Sequence, residues 1–153
     1  MASSDKLKPG GSGLEKPPHD PEATAMAVEL SSALKELHRA LIRAEIGDDP
    51  SLQNPYSALF ALIGDPRFAW MGPLSQLITH IDEQVAAKEI ASMEMLAQLR
   101  KQAALLLGEE KGEAPAVFRL RHVMALQKEP EVGLATGRLR KALTKISGPE
   151  QPI

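Results

Sequence analysis

The chain has 153 residues, enough for one domain with its own buried core. It contains no cysteine, which excludes disulfides, thiolate metal sites and catalysis by a cysteine nucleophile. The formal net charge of −2 conceals a split, because residues 119–145 carry a net +5 and the remainder carries −7. Aromatic residues make up 3% of the sequence, so we expect a core of Leu, Ile, Ala and Met, which favour helices over strands.

The first 19 residues predict a disordered tail, because they contain several Pro and Gly residues and offer almost nothing apolar to bury. A single helical domain is expected over residues 20–148, followed by a short tail at 149–153. The first helix begins where Asp20 can act as its N-cap and Pro21 takes the first helical position. Its apolar stripe consists of Leu30, Leu34, Leu37, Leu41 and Ala44. The sequence Gly-Asp-Asp-Pro at 47–50 ends it.

Two short elements are predicted next. The sequence Asn-Pro at 54–55 opens a short helix that ends at Gly64 and carries Leu59, Leu62 and Ile63 as its apolar residues. The sequence Asp-Pro at 65–66 opens one more turn, which contains Phe68 and Trp70. Short elements in so few residues indicate a tight corner between longer helices.

The rest of the chain predicts further helices over about 73–87, 92–107, 115–128 and 130–146. A break at 88–91 is favoured, because one helix of some 35 residues is unusual in a small domain. The helix at 115–128 has Val117, Phe118, Val123 and Met124 as core candidates, and the last has Val132, Leu139, Leu143 and Ile146. No segment alternates as a strand does. The sequence therefore predicts an all-α fold, an irregular bundle of five to six helices.

No arrangement of residues typical of an active site is present. The histidines are His19, His38, His80 and His122. The Glu-x-x-His pairs of di-iron bundles are missing, and the adjacent Asp82 and Glu83 point about 100° apart on a helix. There is neither a phosphate-binding glycine loop nor a Gly-x-Ser-x-Gly turn. The sequence assigns no catalytic, cofactor-binding or metal-ligating residue and favours a protein that is not an enzyme.

Two groups of residues are candidates for partner binding. Phe68 and Trp70 could anchor a partner, since Trp is enriched at interface hot spots, or they could close one end of the bundle. Arg138, Arg140 and Lys141 form a basic face on the last helix, which would suit an acidic partner or solvent. The overall charge is acidic and no aromatic residue is interleaved with these cations, so a protein partner is favoured over nucleic acid.

Several motifs resemble a group of short bacterial all-α hypothetical proteins. They are LHRALI at 37–42, DPRFAW at 65–70, PLSQLI at 73–78, IDE at 81–83, EPEV at 129–132 and RLR at 138–140. The resemblance implies a bacterial, cytoplasmic setting and supplies no catalytic residue. No apolar run of about 18 residues is present, so we expect a cytoplasmic protein without a membrane segment.

Three functions are consistent with these sequence features. The leading hypothesis is a non-enzymatic interaction or regulatory protein that presents apolar helix faces to a protein partner or to a second copy of itself. One alternative is a nucleic-acid-associated regulator that uses the basic C-terminal helices. The other is a small-molecule-binding protein or enzyme with a pocket near Trp70.

Overall fold

The structure is a computed structural model that describes residues 19–109 and 116–147. Within these ranges the chain forms six α-helices and two short 3-10 helices, and it contains no strand. The α-helices are α1 (Pro21–Ile46), α2 (Pro55–Gly64), α3 (Gly72–Ala86), α4 (Met93–Leu106), α5 (Ala116–Lys128) and α6 (Pro130–Ser147). The 3-10 helices are Pro50–Leu52 and Pro66–Met71, and we call the second the corner turn. The predicted all-α bundle is confirmed. The predicted tails lie almost entirely outside the described residues.

Helix α1 begins and ends where the sequence predicted. The Asp20 carboxylate accepts hydrogen bonds from the backbone N–H groups of Glu22 (2.9 Å) and Ala23 (3.2 Å), which satisfies two donors at the first turn. At the other end Gly47 has a φ of 53°, a left-handed conformation that glycine adopts without steric cost.

Helix α1 is also the centre of the bundle. It packs against α3, α4, α5 and α6, and its buried residues occupy more than one face. All five residues of the predicted apolar stripe are buried, and small side chains at Ala23, Ala27, Ala33 and Ala40 widen the buried surface. These alanines allow neighbouring helices to approach α1 closely.

The chain breaks between α3 and α4, as the sequence favoured. Lys88 has a φ of 59°, and Ser92 caps α4 by accepting a hydrogen bond from the backbone N–H of Met95 at 3.2 Å. Between these two residues Ile90 is fully buried, and its carbonyl accepts a hydrogen bond from the backbone N–H of Asp20 at 2.8 Å. Burial of Ile90 beside the start of α1 therefore fixes a break that neither Pro nor Gly imposes.

The core candidates of α5 were largely wrong. Only Phe118 is buried, while Val117, Val123 and Met124 are exposed. The helix instead buries Phe118, His122 and Ala125, which lie on one face at i, i+4 and i+7. His122 can be buried because its Nε2 lies 2.9 Å from the Thr136 hydroxyl of α6, and a hydrogen-bonded polar group costs far less to bury than an unpaired one.

Candidate functional site

The outer face of α2 is an apolar stripe exposed to solvent. Tyr56, Leu59, Phe60 and Ile63 are 73%, 51%, 71% and 75% exposed. Their spacing of i, i+3, i+4 and i+7 places them on one side of the helix, in a band about 100° wide. Amphipathic helices normally turn such a band towards the core, so its exposure here marks a candidate interaction site.

Helix α2 forms where the sequence predicted it, but its apolar residues do not join the buried core. No residue of α2 is buried, including the three apolar residues that the sequence analysis named, Leu59, Leu62 and Ile63. The side facing the protein consists of Ala58, Ala61 and Leu62, which are only partly buried. Both sides of the helix are apolar, and the two alanines let the smaller side lie against the bundle. The larger side chains are therefore left in solvent.

The start of α2 is held by its N-cap. The Asn54 side chain accepts hydrogen bonds from the backbone N–H groups of Tyr56 (2.8 Å) and Ser57 (3.4 Å), and Pro55 occupies the first helical position. A capped first turn with proline loses less entropy when it orders than an uncapped one. The stripe is therefore presented on a helix that is already formed.

Arg67 joins the corner turn, just after α2, to the chain that precedes α2. Its guanidinium donates hydrogen bonds to the Glu45 carbonyl at 2.9 Å and to the Asp49 carboxylate at 3.0 Å. A third contact, 3.6 Å long, joins Arg67 Nε to the Glu45 carboxylate. We call Glu45, Asp49 and Arg67 the arginine cluster. It fixes both ends of the segment containing α2 against the C-terminal end of α1.

The surroundings of Arg67 and Asp49 favour the charged form of each. The hydrogen bond to Asp49 raises the pKa of Arg67, and burial opposes this effect. Hydrogen bonds from the Ser51 hydroxyl and from Arg67 hold the pKa of Asp49 below its usual value. Both shifts favour the charged forms, so the ion pair between Arg67 and Asp49 persists at neutral pH.

Phe68 and Trp70 close one end of the bundle, which is one of the two roles that the sequence left open for them. Phe68 is 3% exposed and belongs to the core. Trp70 is half-buried, its indole N–H donates to the Glu45 carboxylate at 3.2 Å, and its ring centroid lies 5.4 Å from that of Phe118. The structure places the exposed aromatic side chains elsewhere, at Tyr56 and Phe60.

The cleft beside Trp70 is small. Its volume is about 140 Å³, and its lining includes Glu45, Arg121, Met124 and Lys128. Pockets for drug-sized ligands have volumes of roughly 300–1,000 Å³. This cleft therefore gives little support to the hypothesis of a ligand pocket near Trp70.

Three ion pairs join α6 to α1, and they recur every seven residues along both helices. They are Glu29–Lys145, Glu36–Arg138 and Arg43–Glu131, with N–O distances of 3.0, 2.9 and 2.9 Å. The residue numbers rise along α1 as they fall along α6, so the helices are antiparallel. Arg140 pairs with Glu109, and Lys141 is exposed.

These pairs change what the basic face of α6 can do. The sequence placed Arg138, Arg140 and Lys141 on a basic face, but Arg138 contacts a carboxylate of α1, and so does Lys145 of the same helix. These carboxylates reduce the local positive potential. Binding to the phosphate backbone of a nucleic acid depends on that positive potential. Each pair is largely solvated and contributes at most about 1 kcal/mol to stability.

Asp82 joins two helices. Its carboxylate accepts a hydrogen bond from the buried Ser31 hydroxyl at 2.6 Å and forms an ion pair with Lys35 at 2.9 Å, so that α3 is held to α1. Burial raises the pKa of Asp82, but the bonds from Lys35 and Ser31 outweigh it and the net pKa is lowered. In residues 19–109 and 116–147 no three His, Asp or Glu side chains are grouped as a metal site would require.

Sequence reasoning missed Tyr56 and Phe60. The signal was present in the spacing of Tyr56, Leu59, Phe60 and Ile63, but the opposite side of α2 is also apolar. The helix at Pro55–Gly64 contains no charged residue that would indicate its solvent side. The pattern alone could not show which side faces out.

Comparison with protein-family models, with curated proteins and with solved structures found no match. The resemblance to bacterial hypothetical proteins therefore stays a prediction. Among the described helices, none combines the length and apolar character needed to cross a bilayer.

Proposed function

We propose that this protein is a non-enzymatic interaction protein and that α2 is its binding element. The observation that supports the proposal is the stripe of Tyr56, Leu59, Phe60 and Ile63, exposed on a capped helix. Amphipathic helices that bind an apolar groove do so with side chains at positions i, i+3, i+4 and i+7. Two of the four are aromatic, the side-chain class that contributes large contact area at interfaces.

The arginine cluster supports the same proposal. A helix that is ordered before binding loses less conformational entropy on association, which improves affinity. The contacts of Arg67 with Glu45 and Asp49 hold α2 in place from its base without using any residue of the stripe. The binding residues and the residues that position them are therefore separate.

The test is site-specific photo-crosslinking in the native host. A photoreactive amino acid replaces Phe60 in one strain and Leu120 in a control strain, because Leu120 is an apolar residue of α5 that is 61% exposed. We expect a discrete adduct from position 60 that is lost when Ile63→Glu is added, and none from position 120. The adduct can contain another protein or a second copy, since both outcomes support an interaction protein.

The captured protein is then purified and titrated with Phe60→Glu and Leu120→Glu. A hot-spot residue contributes at least about 2 kcal/mol, so Phe60→Glu should weaken binding by roughly 30-fold or more, and Leu120→Glu by less than about threefold. Since Phe60 is exposed, its substitution should leave the thermal midpoint almost unchanged. Equal adducts from positions 60 and 120, or unaltered binding by Phe60→Glu, would contradict the proposal.

A further inference from the structure

We propose that the outer face of α2 binds the same face of a second copy, with the two α2 helices antiparallel about a two-fold axis. This inference rests on the proposed function and names its partner. A two-fold interface requires a surface that is complementary to itself, because the same patch of both copies forms the contact. The α2 stripe meets this requirement in spacing, in side-chain size and in charge.

The spacing of the stripe is the same in both directions along the helix. Tyr56, Leu59, Phe60 and Ile63 are separated by three, one and three residues, so an antiparallel copy places four anchors against four anchors. In this register Tyr56 faces the partner's Ile63, and Leu59 faces the partner's Phe60. Each directly facing pair therefore joins one aromatic ring to one branched aliphatic side chain.

Charge favours this face over the outer face of α5, where Val117, Leu120, Val123 and Met124 are also exposed. The helix Pro55–Gly64 contains no charged residue, so the two α2 helices bring no like charges of their own together. Antiparallel helices also place the positive end of one dipole near the negative end of the other. The outer face of α5 is flanked by Arg119 and Arg121, and a two-fold axis there would bring cations towards each other.

The exposed area matches a weak dimer. An aromatic side chain contributes some 150–250 Å² when it is buried, and the four side chains are between 51% and 75% exposed. The stripe thus offers roughly 450 Å² per copy, or about 900 Å² in a dimer, close to the lower limit of about 1,000 Å² for specific interfaces. We expect reversible dimerisation with a Kd on the order of 10 µM.

Sedimentation equilibrium of the purified full chain tests association directly. The wild type should pass from monomer to dimer over a range of about 1–100 µM. Phe60→Glu should raise the Kd by roughly 30-fold or more, whereas Val123→Glu, on the outer face of α5, should change it by less than about threefold. A chain that stays monomeric throughout this range overturns the inference.

Engineered cysteines test the register, since the natural chain has none. One preparation carries Tyr56→Cys, another carries Ile63→Cys, and Val123→Cys serves as the control. In the antiparallel dimer the two copies of position 56 lie about 10 Å apart along the helix axis, beyond the reach of a disulfide. Position 56 lies opposite the partner's position 63, so the mixture should give a mixed disulfide that exceeds either homodimer.

The outcomes separate this inference from the proposed function. Homodisulfides at 56 or at 63 that exceed the mixed product would overturn the antiparallel arrangement. A host adduct at position 60 that contains only a different protein, with purified chain that stays monomeric, overturns self-association but leaves the interaction function in place. If neither adduct nor dimer depends on the stripe, both proposals are wrong.

Discussion

Replacing Phe118 with alanine should destabilise the protein strongly, because this ring connects α5 to the corner turn. Phe118 is 1% exposed, and its ring lies 5.4 Å from that of Trp70 and 6.1 Å from that of His122, measured between centroids. Removing a fully buried phenylalanine costs about 3–5 kcal/mol, which combines lost transfer free energy with the cavity left behind. Few other residues of α5 are buried to compensate, principally His122 and Ala125.

The assay is unfolding by urea and by heat, followed by circular dichroism and by the fluorescence of Trp70, the single tryptophan of the chain. At about 2–4 °C per kcal/mol, Phe118→Ala should lower the thermal midpoint by roughly 10 °C. The matched control is Leu120→Ala on the exposed side of the same helix, which should change stability by no more than about 0.5 kcal/mol. A loss below about 1 kcal/mol for Phe118→Ala would show that the aromatic contact with Trp70 does not hold α5 in place.

Two further predictions concern charge. Burial lowers the pKa of His122 and that of His38 in the folded protein. As the pH falls below about 6.5, these side chains are therefore protonated in the unfolded chain before they are protonated in the folded one. The free energy of unfolding should then fall with falling pH. His122→Gln should reduce the dependence of the free energy of unfolding on pH, measured by denaturant titrations from about pH 7.5 to about pH 5.5. An unchanged pH dependence would show that other groups cause it. In fluorescence-anisotropy titrations at about 0.15 M salt, neither wild type nor Arg138→Glu/Lys141→Glu should bind labelled nucleic acid. Micromolar binding that the double variant loses would support a nucleic-acid function instead.

The helices themselves follow from local chemistry. Asp20, Asn54 and Ser92 each accept backbone hydrogen bonds at a helix start, and such caps depend on neighbouring residues alone. The core of α1 was also predictable, since its apolar stripe repeats with the helical period and polar residues occupy much of the remaining surface. Where a helix has one apolar side, its orientation can be derived from the sequence.

The orientation of α2 and α5 depended on tertiary structure. Both carry apolar residues on opposite sides, and the side that faces inward depends on the space left by the rest of the bundle. In α2 the alanines Ala58 and Ala61 fit against the protein and the larger residues stay in solvent. In α5 the buried side is the one whose Phe118 ring lies beside Trp70, and Val117, Val123 and Met124 are left exposed.

The composition of the chain determined its all-α class, and its charge pattern determined the presence of a basic segment at its C-terminal end. The capping residues determined several helix starts. Only the tertiary structure decided that Arg138 and Lys145 face Glu36 and Glu29, residues more than one hundred positions away. It also decided that the apolar stripe of α2 faces solvent. Helix periodicity and capping act over a few residues, whereas the partner of a charge and the covering of an apolar face depend on which distant helix packs beside it.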